Sequence, residues 1–266
     1  MTEKGVLIKM SVRAETPVQY TLNLNDHPVL MNNLIGQTIQ IRFSGYQCLS
    51  CGATRKIFRQ GYCYDCFYKQ PDVGEWVIRP ELSKAHLGLE DRDLAYEKEA
   101  QLQPHVVYLA ESGGAKVGVT RKSQIPTRWI DQGASRAVAI VETPNRYLAG
   151  ITEVALKKHI SDKTNWRRML KNEQSGMDLM EIRKRLLDFV PEEARPYILS
   201  DTLRETHIDY PVTTWPSRVV SLNLSKTPEY SGTLSGIRGQ YLMFTDHTVF
   251  NIRSNEGTVI ELTWPG

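Results

Sequence analysis

Four cysteines fall within 19 residues, as Cys48-Leu-Ser-Cys51 and Cys63-Tyr-Asp-Cys66. Two residues between paired cysteines let both thiolates reach one ion from a single tight turn. Gly52, directly after the first pair, supplies the backbone freedom such a turn needs. Four thiolates around one ion are the ligand set of a structural zinc site with no open position, so the expected role is folding and not catalysis. The competing readings are disulfides, a redox CxxC pair and an iron–sulfur cluster. The first residues, MTEKGVLIKMSVRAE, carry no apolar run and no small-residue cleavage site. That argues against secretion, and so against structural disulfides. No strand–helix–strand context surrounds either pair, which disfavours the redox reading; the iron–sulfur reading stays open on spacing. His86 is a further candidate ligand, although a lone histidine is more simply structural or exposed.

A second set of chemically able residues lies in the middle of the chain. The 33 Lys and Arg against 30 Asp and Glu give a net charge of +3, unevenly spread. Residues 1–100 hold 12 against 12, residues 101–190 hold 15 against 9, and residues 191–266 hold 6 against 9. A basic middle between neutral and acidic flanks is where a polyanion would bind. Within it, Arg121 and Lys122 follow a strand pattern and Arg128 stands beside Trp129. The run KTNWRRMLK places Lys163, Arg167, Arg168 and Lys171 around Trp166. On a helix, 163, 167 and 171 share one face. Basic residues interleaved with an aromatic ring can neutralise phosphates while stacking a base. Solvated surface faces and core tryptophans are the plainer readings.

These residues need elements to hold them. The 266-residue chain has ordinary globular composition, with mean hydropathy of −0.38 and no apolar run long enough to span a bilayer. Its expected setting is therefore the cytoplasm, with no membrane partner. Residues 6–12, 17–24 and 38–44 alternate apolar with polar, the period of half-buried strands. HVVYLA (105–110) and AKVGVT (115–120) flank Gly113-Gly114 and predict a hairpin. Helices are expected over 150–160 and 177–190, and five short strands follow from residue 218. The fold class is α+β, with β-rich ends. The division reads as an N-terminal β segment (1–47), a zinc knuckle (48–80), a linker or peripheral helix (81–103), a basic domain (104–190) and a small β barrel or rolled sheet (191–266). The N-terminal strands are expected to join the C-terminal ones, making the basic middle an insertion.

The stretch 104–172 resembles the GIY-YIG nuclease superfamily, in a divergent form. Val107-Tyr108-Leu109 stands where its first triplet falls and Lys116-Val117-Gly118 where its second does. Arg128, then Glu153 on a helix, then Asn165 follow in the family's order. The resemblance implies an α/β domain in which Tyr108 activates the attacking water and Arg128 stabilises phosphoryl charge. Glu153 would hold a divalent ion, magnesium or manganese. Lys116 replaces the second tyrosine and acts as a base only if burial depresses its pKa. Phosphodiester hydrolysis needs those three services.

Over most of its length the chain also resembles a bacterial family of no assigned activity, through CLSCG, GYCYDCF, AKVGVTR, IPTRWIDQGAS, SDKTNWRRMLK and GIRGQYL. The leading expectation is a zinc-stabilised protein that binds RNA or structured DNA and has the residue set of a metal-dependent phosphodiesterase. The alternative is a non-enzymatic module that docks a protein partner and uses the zinc site as a staple.

Overall fold

The computed structural model describes residues 1–25, 27–160, 165–200 and 202–266. Its architecture is α+β, as expected from the sequence. The N-terminal part holds β1 (Thr2–Val6), β2 (Ser11–Arg13), β3 (Gln19–Leu24), β4 (His27–Leu30) and β5 (Thr38–Tyr46). Alternation decides their faces: in β3, Tyr20, Leu22 and Leu24 are buried while Gln19, Thr21 and Asn23 are partly exposed. The expected strand over 6–12 is broken in two. Leu7 and Met10 turn fully into the core. The Gln240 side chain takes over the backbone pairing there, accepting from Met10 N at 2.7 Å and donating to Met10 O at 3.1 Å.

The cysteine segment carries α1 (Tyr64–Phe67), followed by α2 (Glu75–Ile78) and α3 (Leu94–Gln101). Residues 81–103 are not a free linker. Ala85, Glu97 and Gln101 are buried, and the Glu97 carboxylate accepts from the N–H groups of Asp91, Arg92 and Asp93.

The central region contains β6 (His105–Glu111), β7 (Ala115–Arg121), α4 (Thr127–Asp131), β8 (Arg136–Thr143) and α5 (Arg146–Lys157). It continues with α6 (Trp166–Leu170), α7 (Leu179–Leu186) and β9 (Thr206–His207). Its antiparallel sheet has the order β7-β6-β8-β9. Val107 and Leu109 point to one face, where they meet Leu156 of α5 and Ile182 of α7. Val106, Tyr108 and Ala110 point to the other, against Trp129. Because β9 closes this sheet and Leu199 N donates to Ile140 O, the stretch 191–207 belongs here and not to a C-terminal barrel.

The last elements are β10 (Val220–Ser221), β11 (Glu229–Arg238), β12 (Tyr241–Phe244), β13 (Thr248–Asn251) and β14 (Thr258–Thr263). Among the described residues they form, with β1 and β5, a sheet of order β1-β14-β5-β11-β12-β13-β10. Strand β11 pairs with β5 through Thr233 and with β12 from Leu234, and the ladder is irregular between Leu234 and Gly236. Such an irregularity bends a strand and lets a sheet roll. The rolled inner face shares one core with β2, β3 and β4, including Tyr20, Ile41, Leu234, Phe250 and Leu262. The central region is therefore inserted between strands of a single sheet.

Arg238, buried at the end of β11, joins the two parts. Its guanidinium donates to Gly133 O at 2.9 Å, Met169 O at 2.8 Å and Asn172 Oδ1 at 2.8 Å. Among the described residues, no helix is long and apolar enough to cross a membrane.

Candidate functional site

The cysteine module begins where β5 ends. Cys48 N donates to Ala53 O at 3.0 Å and Gly52 N donates to Cys48 O at 2.9 Å, closing the first turn, with Gly52 at φ +70°. The second turn docks on it: Leu49 N donates to Gly61 O at 2.9 Å, and Cys63 N points at Cys48 Sγ from 3.3 Å. The four sulfurs lie within 4.8 Å of one another, with Cys51 and Cys63 4.0 Å apart. Tetrahedral zinc with bonds of about 2.3 Å requires sulfurs about 3.8 Å apart, so the donor set fits. Burial pushes the Cys48 thiol up. The N–H groups of Cys51, Cys63 and Ser50 outweigh it and bring the thiol down to about 6. The backbone is thus already arranged around a thiolate. The four cysteines are positioned to hold a metal ion. His86 stands elsewhere, its ring stacked on Tyr147 at 4.5 Å.

The sequence-predicted residues Tyr108, Lys116, Arg121, Arg128 and Glu153 all line one cleft of about 780 Å³ along the outer strand β7. Tyr108 and Gly118 are cross-strand partners. A Cβ on Gly118 would meet the phenol oxygen at 2.7 Å, so the glycine of the Lys-Val-Gly triplet makes room for the tyrosine ring. The phenol donates to Gln132 Oε1 at 3.0 Å. It is fully buried, and burial pushes it up to about 12, with Glu153 adding to the rise and Arg128 opposing it. At neutral pH Tyr108 is therefore a hydrogen-bond donor. Glu153 sits on α5, nearly buried, with its carboxylate 3.2 Å from Lys157 Nζ one turn later.

Arg146, which no motif flagged, completes the cationic wall. Asn145 caps α5 by accepting from Leu148 N at 2.9 Å, which fixes Arg146 as the first helical residue. Its guanidinium donates to Trp76 O at 3.1 Å and Val77 O at 2.7 Å, and lies 5.4 Å from the Trp76 ring centre. Burial, with Arg128 and Arg121 nearby, lowers it to about 10, and Glu153 opposes that fall. It remains charged at neutral pH. The opposite walls come from the ends of the chain. Tyr62 donates to Asp72 at 2.8 Å on the cysteine side, and Arg253 and Glu256 enter from the rolled sheet.

Other expected contacts do not join this cleft. Trp129 is no free stacking surface: it is buried, packed against Tyr108 with ring centres 5.8 Å apart. Lys122 reaches outward to Glu142 at 2.7 Å. In the segment where Lys163, Arg167 and Lys171 would share a helix face, the described helix is Trp166–Leu170. Asn165 caps it by accepting from Arg167 N and Arg168 N, and α6 ends at Leu170. Trp166 stacks on Tyr241 at 5.6 Å, with the Arg167 guanidinium 4.3 Å from the Trp166 ring centre. Arg168 and Lys171 both pair with Glu173, at 3.0 and 2.5 Å. Lys163 lies outside the described residues. Asn165, last of the GIY-YIG-like series, is thus a helix cap.

Fold and site together define an α+β protein with four cysteines positioned to hold a metal ion and a cationic cleft. The family described as "Protein of unknown function (DUF2797)" matches residues 36–260, and the chain belongs to it. No curated protein and no solved structure matches.

Proposed function

We propose that this chain is a nucleic-acid-binding protein of the cytoplasm, and that the cleft grips and hydrolyses a phosphodiester of RNA or structured DNA. The observation that carries the reading is convergence. Tyr108, Lys116, Arg128 and Glu153, drawn from a hairpin and two helices, meet in one cleft. Six cationic side chains line it against three carboxylates, among the described residues. Such a cleft focuses positive potential on a polyanion.

Arg128 and Arg146 are the groups suited to the charge that develops on a phosphoryl oxygen. Lys116 adds a cation where the related nucleases have a second phenol. Tyr108, protonated and held by Gln132, orients neighbours by donating and does not take a proton. Glu153 is the carboxylate we assign to magnesium or manganese, and one carboxylate plus phosphate oxygens suits such an ion. The bound ion would supply Lewis-acid polarisation of the phosphate. Before Glu153 can serve, Lys157 has to give up its contact and turn toward the phosphate. The four-cysteine centre we assign to zinc with a structural role, since its donors are all thiolates and the site is closed.

The test is a retardation and cleavage series with labelled tRNA, single-stranded RNA and branched DNA. Each is run with magnesium or manganese, then with EDTA, across a salt gradient. Expected are metal-dependent products that disappear in Glu153→Ala while retardation persists. Arg128→Ala and Arg146→Ala should each weaken binding and flatten its salt dependence. Unchanged binding in both arginine variants would overturn the cleft assignment, and salt-tolerant association with a protein would favour the docking alternative.

A further inference from the structure

The cysteine module exposes rings that its own packing does not use. Phe58, Tyr64 and Tyr68 are 41%, 61% and 54% exposed. Tyr64 and Tyr68 lie one helical turn apart with ring centres 5.0 Å from each other, and Phe58 lies 5.2 Å from Tyr64 and 6.1 Å from Tyr68. Phe67, partly buried, packs edge-on to Phe58 with ring centres 5.3 Å apart. The contacts are tilted or edge-on, with interplanar angles of 30° to 74°, so no two of these rings stack face to face. A contiguous exposed aromatic patch of this kind marks an interaction surface.

Charge identifies the occupant. Residues 55–69 carry Arg55, Lys56, Arg59 and Lys69 against Asp65 alone, a net +3 inside an otherwise balanced first hundred residues. Arg55 is paired with Asp65 at 2.8 Å. Arg59 lies 5.3 Å from the Phe58 ring centre. A surface for a protein partner's apolar side chains would be depleted of lysine at its centre. Exposed ring faces interleaved with cations are what single-stranded nucleic acid takes, bases on the rings and phosphates on the cations. A shallow groove beside Phe58 runs toward the cleft, and Gln60, Ser254 and Glu256 line both.

We propose that Phe58, Tyr64 and Tyr68, with Lys56, Arg59 and Lys69, form a base-stacking platform for unpaired nucleotides of a strand whose backbone continues into the cleft. The platform extends the reading of the cleft but stands on separate residues.

The test uses the full-length, metal-loaded chain and fluorescence anisotropy with two probes, a 12-nucleotide oligouridylate and an RNA duplex of equal length. The variants are Tyr64→Leu, Tyr68→Leu and the pair, each checked for unchanged metal content and thermal midpoint. Each single change is expected to weaken oligouridylate binding about tenfold. Duplex binding should be unaltered, and Tyr64→Phe should retain wild-type affinity. A paired variant that binds oligouridylate as tightly as wild type overturns the platform, as does an equal loss of duplex binding. If the tyrosine variants lose single-strand binding while Arg128→Ala and Arg146→Ala lose none, the platform stands and the cleft reading falls.

Discussion

Every residue of β6 is buried, whereas α1 of the cysteine module buries none of its four. The central sheet is held between two apolar faces, with Val107 and Leu109 on one and Tyr108 on the other. The module has no comparable interior: Phe58, Tyr64 and Tyr68 are exposed, and its two turns meet through the Leu49–Gly61 backbone bond and the cysteine sulfurs. One region is stabilised by the hydrophobic effect spread over many side chains; the other gathers four cysteines positioned to hold one ion. The lesson is that they should fail separately and under different reagents.

The sharpest way to break that contrast is to remove the metal. Structural zinc sites supply about 10 kcal/mol or more of local folding free energy. Chelation, or Cys48→Ser, should therefore abolish hydrogen-exchange protection across residues 48–70 while amides of β6 and β8 keep theirs. Equal loss in both regions would mean that the module props up the sheet. Next in size is Arg238→Met. It removes the shared donor of three acceptors at a buried site, of which Met169 O keeps its bond from Asn172 N, and should lower stability by about 3–5 kcal/mol in urea denaturation. The metal content of the variant should not change.

His105 gives a third handle, through pH. Burial lowers it to about 4; the Gln103 carbonyl opposes the fall, and Arg146 and Arg121 deepen it. Its Nδ1 lies 2.7 Å from that carbonyl, and Nε2 has no hydrogen-bond partner among the described residues. Between pH 6.5 and 4 the unfolded chain binds a proton that the folded chain does not, so stability falls on acidification and is level above that window. At about 1.4 kcal/mol per pH unit the loss approaches about 3 kcal/mol. His105→Gln should flatten that part of the profile; an unchanged slope would locate the titrating group elsewhere. The smallest effect is expected from Gly118→Ala. The added methyl presses on the Tyr108 phenol and should cost about 1–3 kcal/mol, read as a lowered thermal midpoint with the module's metal retained.

What could be read from the sequence follows from distance along the chain. The metal centre was legible because each cysteine pair is a local turn, and the 105–121 hairpin because Gly113-Gly114 and two alternating runs suffice. Tyr108, Lys116, Arg128 and Glu153 came through a family likeness in order and spacing, and they do share a cleft. Arg146 had no such signal, since its partners at Trp76 and Val77 lie about 70 residues away. Trp129 misled for the reverse reason: a tryptophan beside an arginine suits a base, but contact with Tyr108 decided its burial. In KTNWRRMLK the basic face would have needed a helix through Lys171, but the helix capped by Asn165 ends at Leu170 and Arg168 and Lys171 pair with Glu173.

The insertion of the central region carries a consequence for synthesis. Strand β1 pairs with β14 from Thr2↔Thr263 onward, and β5 pairs with both β14 and β11. About 180 residues separate the end of β5 from the start of β11. At roughly 5–20 residues per second, the nascent chain holds β5 without its neighbours for about 10–40 s. During that interval the four-stranded sheet can complete itself up to His207. The first-made strands are then the last to find their places, and they are the segment that a chaperone would have to guard at the ribosome.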